Sequence, residues 1–162
     1  MASAAFFAIR LGGSPVLNNV TFGGNSASGV GGAIYNAGGA VLMSHTILWG
    51  NSAGMGPEIY QTSGTTTITS SVVQGGCPNG ITCFGVITTD PLLGALQDNG
   101  GPTQTMMLMA GSSAIDGGYD PTCAAQDQRG VPRPQGANCD AGALEVVFER
   151  IFADNFDGRP TP

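Results

Sequence analysis

The sequence predicts an all-β chain of stacked strands, and three observations carry that prediction. Residues 16–36, VLNNVTFGGNSASGVGGAIYN, return at 41–61 as VLMSHTILWGNSAGMGPEIYQ, with Gly-Asn-Ser-Ala at 24–27 repeated at 50–53 and Ile34-Tyr35 repeated as Ile59-Tyr60. A fainter third copy, TTTITSSVVQGG, occupies 65–76, so Phe22, Leu48 and Val73 fall at matching places and the period is 25 or 26 residues. The composition agrees: 27 Gly and only 10% charged residues exclude a helical bundle, since each Gly inside a helix costs roughly 1 kcal/mol. Thr, Val and Ile between Gly-rich corners favour strands instead. Such a period marks a stacked solenoid. It is too long for the narrow left-handed hexapeptide helix, whose turn takes about 18 residues, and suits a right-handed parallel β-helix of about three coils with a C-terminal cap.

Taken in order, residues 1–15 read as the tail of an incomplete coil, with Phe6, Phe7, Ile9 and Leu11 alternating inward. Coil one spans 16–39, coil two 40–64 and coil three 65–89, so the helix occupies 1–89. Strands are predicted at 16–22, 32–35, 40–43, 45–49, 57–60, 66–69 and 71–74. Alternation along each strand turns Val16, Val20 and Phe22 toward one core, and Ile34, Val41 and Ile47 or Leu48 extend it. Met43 reads as an insertion relative to coil one, which leaves the phase of 43–48 open. Gly23-Gly24, Gly31-Gly32 and Gly38-Gly39 fit corners that need positive φ. Asn25 and Asn51, at matching positions, are expected to stack as an amide ladder.

From Asp90 the repeat stops. Solenoid ends expose an apolar face that must be covered, so residues 90–147 are read as a C-terminal cap. Leu92, Leu93, Leu96, the MMLM run at 106–109, Ala114 and Ile115 supply its cover. Residues 148–162, aromatic, acidic and Pro-terminated, read as a tail.

The net charge is −6, and all five basic residues are Arg. A phosphate backbone would be repelled, so nucleic acid is not an expected partner. No apolar run approaches the roughly 20 residues of a membrane helix, so membrane insertion is not expected either. The four Cys form two local pairs in sequence, Cys77/Cys83 and Cys123/Cys139. Three connectivities exist, and proximity favours the local one. Zinc competes, but with one His and Cys spacings of six and sixteen the usual ligand patterns are missing. Disulfides imply an oxidising compartment. The start, MASAAFFAIRLGG, lacks a basic n-region and makes a poor signal sequence; the export signal and earlier coils are expected upstream.

These segments resemble bacterial right-handed parallel β-helix proteins that end in a choice-of-anchor Q domain. The resemblance is carried by GGAIYN at 31–36, SHTILWGNSA at 44–53, GPEIYQ at 56–61 and SVVQGGCPNGITC at 71–83. It continues through DPLLGALQDNGGPTQT at 90–105, GSSAIDGG at 111–118 and DQRGVPRPQGANCDAGALE at 127–145, covering about residues 14–147. The coils also look like those of polymorphic outer membrane proteins, with Phe22 to Asn25 and Gly31 to Ile34 fitting the FxxN and GGAI signatures. The terminal IFADNFDG resembles tails on exported proteins of Gram-negative bacteria. The resemblance implies a secreted or cell-surface protein associated with the outer membrane.

Parallel β-helices also host polysaccharide lyases and hydrolases, which need clustered acids, or bound calcium and a basic residue, on one face. Between Leu11 and Thr89 this chain has one acidic residue, Glu58, and no Lys or Arg. The coils are therefore read as non-catalytic, with His45 a strand or turn residue at the place of Asn19. Asp116, Asp120, Asp127 and Asp140 form the candidate calcium set; against it stands an ordered loop held by Asp127–Arg129 and Asp140–Arg133 pairs, the favoured reading. No other cofactor is expected. Tyr35 and Tyr60, at equivalent places beside Ile34 and Ile59, are predicted to stack outward. With Trp49 they are the candidate glycan contacts, although coil-to-coil stabilisation explains the Tyr pair more simply. The expected function is a structural or adhesive surface module with a glycan or cell-surface partner. The alternative is a polysaccharide-binding or polysaccharide-degrading protein whose catalytic coils lie upstream.

Overall fold

The computed structural model describes residues 7–10 and 12–147. Among these the chain is all-β, with one 3-10 turn at Asp120–Thr122 and no α-helix. Phe6, Leu11 and the expected tail at 148–162 lie outside the described residues.

Two parallel sheets follow the repeat. In the first, β1 (Phe7–Arg10) pairs with β4 (Ile34–Ser44), β4 with β6 (Ile59–Thr69) and β6 with β8 (Thr82–Phe84), while β2 (Val16–Asn18) pairs with the second half of β4. In the second, β3 (Thr21–Gly23) pairs with β5 (Ile47–Trp49) and β5 with β7 (Val72–Val73). Phe22 lies beside Leu48 and Leu48 beside Val73, as the repeat predicts. On a third flank, isolated parallel bridges join Ser26 to Ser52 and Val30 to Met55. An antiparallel hairpin of β9 (Leu93–Gln97) and β10 (Thr105–Leu108) completes the set.

The corner between the two sheets is made the same way in each repeat. Asn19, His45 and Ser70 all adopt the left-handed region, at φ 54, 49 and 44°. Only then does the chain enter β3, β5 or β7. This corner divides the strand expected at 16–22 and shortens the one expected at 45–49 to Ile47–Trp49. It also resets alternation, so Val16 is 68% exposed instead of inward, while Leu17 packs against the core. Met43 is not an insertion, because Val16, Leu17, Asn18 and Thr21 pair with Leu42, Met43, Ser44 and Ile47 in unbroken step; Met43 is buried in the core. Strands expected separately at 32–35 and 40–43 form one β4, whose pairing with β6 is irregular between Asn36 and Ala40. There the Asn36 side chain bonds Gly39 in both directions and reaches Thr66 Oγ1 at 3.1 Å. Within 65–89 the chain doubles back early: Thr67 pairs with Thr82 and Val72 with Ile87, through the loop bridged by Cys77–Cys83.

The main core lies between the sheets, with Ile9, Ile34, Val41, Met43, Ile59 and Ile68 from one and Phe22, Leu48 and Val73 from the other. The outward residues of the second sheet form another cluster. Ile47 and Val72 are fully buried there beneath Leu108, Ala114 and Ala141, with Leu93, Ile115 and Trp49 packed around them. Residues 90–147 thus supply apolar cover to the flank of the second sheet, along the line where Leu93, Leu108 and Ala114 meet it. Leu92, Leu96 and Met109 stay exposed.

Candidate functional site

The C-terminal segment docks through the corner row. Asn19 Nδ2 donates to Asp140 O at 3.2 Å, and its Oδ1 accepts from Ala124 N at 2.9 Å. Asn18 Nδ2 donates to Thr122 O, Gly142 N to His45 O, and Ala143 N to Thr21 Oγ1. His45 is fully buried, with Nδ1 2.8 Å from Asn18 Oδ1 and Nε2 3.2 Å from Thr122 Oγ1. Burial, with the Arg133 charge nearby, holds its pKa below the ordinary value. A neutral ring bonded on both sides is a structural joint.

Beneath this joint lies a buried ionic cluster. Arg133 Nη1 pairs with Glu145 Oε2 at 2.8 Å, with both side chains almost wholly out of solvent. The guanidinium also donates to the carbonyls of Asp140 and Gly142. The Asp140–Arg133 pair expected from sequence is therefore replaced by Glu145–Arg133, with Asp140 offering only its backbone oxygen to the guanidinium. The expected Asp127–Arg129 pair is present at 2.8 Å. Glu145 accepts from the backbone N–H of Gln135 and Asp140 besides Arg133.

The four candidate calcium ligands each accept backbone N–H bonds. Asp116 takes Asn138 N and Asp120 takes Cys139 N. Asp127 takes the amides of Arg129, Val131 and Glu145, and Asp140 takes those of Asp116 and Val146. Among the described residues no group of three or more His, Cys, Asp or Glu is placed to hold a metal ion. Burial alone would raise the Asp127 pKa, but the Glu145 amide, the Arg129 guanidinium and the Val131 and Arg129 amides outweigh it and hold the group low. At Asp140 burial wins over its two amide donors, helped by the Glu145 and Asp116 charges, and the pKa is pushed up to about 6.

Both local disulfides are formed, Cys77–Cys83 and Cys123–Cys139, with Cα separations of 6.0 and 6.6 Å. The second pins the loop that carries the docking contacts of Thr122 and Ala124. No helix among the described residues is long and apolar enough to cross a membrane.

Tyr35 and Tyr60 stack on the outer face of the first sheet, with ring centroids 6.1 Å apart and planes 21° apart. Trp49 lies on the second sheet, packed against the Ile47–Val72 cluster. The structure therefore brings the two tyrosines together and leaves the tryptophan apart from them. Glu58, the lone acid of the repeats, is buried and bonded to Asn51 Nδ2. Burial raises its pKa, opposed by the Asn51 bonds.

One feature had no sequence signal. A cleft of about 210 Å³ opens beside β3, walled by Phe22, Gly23 and Asn25 on one side and by Leu96, Met106 and Gln128 on the other. It depends on the β9–β10 hairpin folding along the flank of β3, a contact between segments roughly eighty residues apart. The chain matches no protein-family model, no curated protein and no solved structure.

Proposed function

We propose that this chain is part of a right-handed parallel β-helix of the choice-of-anchor Q kind, acting outside the cell as a non-catalytic structural or adhesive module. The observation that supports the reading best is the parallel stacking of equivalent residues, Phe22 on Leu48 on Val73, at the spacing of the sequence repeat. Repeats stacked in this way make a stiff, extendable body with a long lateral surface. The polar side chains at equivalent places serve the stack itself: Asn25 bonds Asn51, and Asn36 reaches Thr66. The one carboxylate of the repeats, Glu58, is buried against the Asn51 amide, with no acid or base partner beside it among the described residues. The two disulfides favour an oxidising, extracellular setting, and surface display at the outer membrane is the corresponding location.

A second reading, glycan binding, is favoured by the Tyr35–Tyr60 stack alone, since paired aromatic rings offer a platform for sugar rings. Both readings are tested together. The oxidised protein is incubated with plant, algal and bacterial polysaccharides, and bound polymer, released reducing ends and unsaturated products are measured. Display predicts no product and no binding that depends on the rings. Binding lost in Tyr35→Ala and Tyr60→Ala establishes the glycan reading. Release of product by the folded protein overturns both.

A further inference from the structure

The dipeptide Asn-Gly occurs twice in the chain, at 79–80 and at 99–100. Glycine after asparagine leaves the following main-chain nitrogen unhindered, so that nitrogen can attack the side-chain amide before it. The two copies share this local chemistry, and the fold holds them very differently.

Asn99 is tied at both ends of its side chain. Its Nδ2 donates to Thr105 O at 2.8 Å and to Thr105 Oγ1 at 3.2 Å, and its Oδ1 accepts from Gln97 Nε2 at 3.1 Å. The nitrogen that would attack is engaged as well, since Gly100 N donates to Asp98 Oδ1 at 3.0 Å. Reaction at Asn99 therefore waits on local opening of the loop between β9 and β10.

Asn79 is exposed. Among the described residues, neither its side chain nor the Gly80 N–H has a hydrogen-bond partner. Ile81 N donates to Pro78 O at 3.2 Å, and Gly80 has φ +77° while Asn79 stays out of the left-handed region. That is a type II turn, closed by its outer residues and with the central peptide unit left unbonded. Turning this unit over brings Gly80 N toward Asn79 Cγ. A Cβ on Gly80 would meet nothing within 4 Å, so no neighbour blocks the rotation.

We propose that Asn79 is a site of spontaneous deamidation and that the fold protects Asn99 from the same reaction. Gly80 N gives up its proton to hydroxide and bonds to Asn79 Cγ. The Cγ–Nδ2 bond breaks, and the amide nitrogen takes a proton from water and leaves as ammonia, regenerating hydroxide. Water then opens the resulting succinimide at either carbonyl, leaving aspartate or isoaspartate at 79. Water is consumed and ammonia released, with no other reactant.

Either product puts a carboxylate into the loop. Isoaspartate also lengthens the main chain by a methylene between the bridged Cys77 and Cys83. The loop is linked to the first sheet through Gln61, whose Nε2 donates to Gly80 O at 3.3 Å. Gln61 Oε1 in turn accepts from Thr66 Oγ1 at 2.7 Å and from the buried Asn36 amide. Modification at 79 thus displaces the loop carbonyl on which this relay ends. The chemistry is independent of the function proposed above.

The test incubates the full, oxidised protein at mildly alkaline pH and follows both sites by peptide mapping, with fragmentation that separates aspartate from isoaspartate. A second sample, reduced and unfolded in guanidinium, is followed in the same way. In the folded protein the acid should form at Asn79 at least about tenfold faster than at Asn99, faster still as pH rises, and with isoaspartate among the products. In the unfolded chain the two rates should converge. Equal rates in the folded protein, or a preference for Asn99, overturns the proposal. A preference for Asn79 that persists undiminished after unfolding overturns it too, because the fold would then play no part.

Discussion

Asn25 Nδ2 donates to Asn51 Oδ1 across one repeat, at 2.6 Å, with both residues buried. Asn51 is the centre of this arrangement, because it also accepts from the Asn25 backbone and donates to Phe22 O and to Glu58. Asn51→Ala would strip the Asn25 amide, the Phe22 carbonyl and the Glu58 carboxyl of a partner at once. We expect a loss of about 3 kcal/mol, since each unsatisfied buried group costs roughly 1–3 kcal/mol and relaxation recovers part of the sum. Urea denaturation of the two proteins checks this. Asn51→Asp should be worse at neutral pH, with two carboxyls facing each other, and should recover on acidification as Glu58 takes a proton.

Gly31 and Gly56 occupy the same place in successive repeats, at φ +67 and +57°. A Cβ on Gly31 would meet Ile34 O at 2.5 Å, and one on Gly56 would collide with Ile59 O. Gly24 has a similar φ of +68° but open space around it. Left-handed backbone costs a non-glycine residue roughly 1 kcal/mol, and the collision adds to that. Gly31→Ala and Gly56→Ala should therefore destabilise by about 2–3 kcal/mol and Gly24→Ala by about 1 kcal/mol, read from thermal unfolding. Equal costs at the three sites would mean that the backbone conformation alone matters.

What could be read from the sequence was whatever repeats as a residue type. Phe22, Leu48 and Val73, the Asn25–Asn51 ladder and the Tyr35–Tyr60 stack are identical or similar residues at a fixed spacing, so the spacing alone specifies their neighbours. The left-handed corner escaped because it uses three different side chains, Asn19, His45 and Ser70, with no glycine to mark it. That corner also inverted the expected facing of Val16. The Arg133–Glu145 pair and the cleft beside β3 were hidden for a different reason. Each depends on how residues 90–147 lie against the second sheet, and no local pattern encodes that contact. Asp140 lies within hydrogen-bond reach of Arg133 through its carbonyl only, a distinction that residue identity cannot carry.

The Cys123–Cys139 bridge closes a loop of sequence separation 16, against 6 for Cys77–Cys83. On the loop-entropy estimate the first contributes about 3 kcal/mol and the second about 2 kcal/mol. The longer bridge also holds Thr122 and Ala124 against Asn18, Asn19 and His45. Cys123→Ser with Cys139→Ser should thus cost more global stability and should raise amide exchange at Ala124 and Gly142. Cys77→Ser with Cys83→Ser should loosen β8 and leave the corner row protected. Hydrogen exchange followed by mass spectrometry separates the two patterns.

Asp140 should make the protein less stable as pH rises from about 4 to 6. Its carboxyl ionises near the ordinary 3.8 in the unfolded chain but near 6 when folded, because burial penalises the charge. Between those values the folded state keeps a proton that the unfolded state releases, so the folded state loses ground with increasing pH, by up to about 3 kcal/mol. Glu58, also raised by burial, acts with the same sign. Two groups oppose them. His45 is held below its ordinary pKa in the fold by burial and by the Arg133 charge, so its contribution is lost as pH falls from the ordinary 6.5 toward the folded value. Asp127 is held low, so its contribution is present above its unfolded pKa and lost as pH falls through the folded value. Asp140→Asn isolates the first effect. It also turns an amide donor toward Asp116 N or Val146 N, which lowers stability at every pH, so the informative quantity is the slope. The stability of the wild type minus that of Asp140→Asn should fall by about 2.4 kcal/mol between pH 4 and 7. A difference that stays constant over that range would mean that Asp140 ionises as an ordinary carboxyl in the fold, and that its amide donors offset its burial.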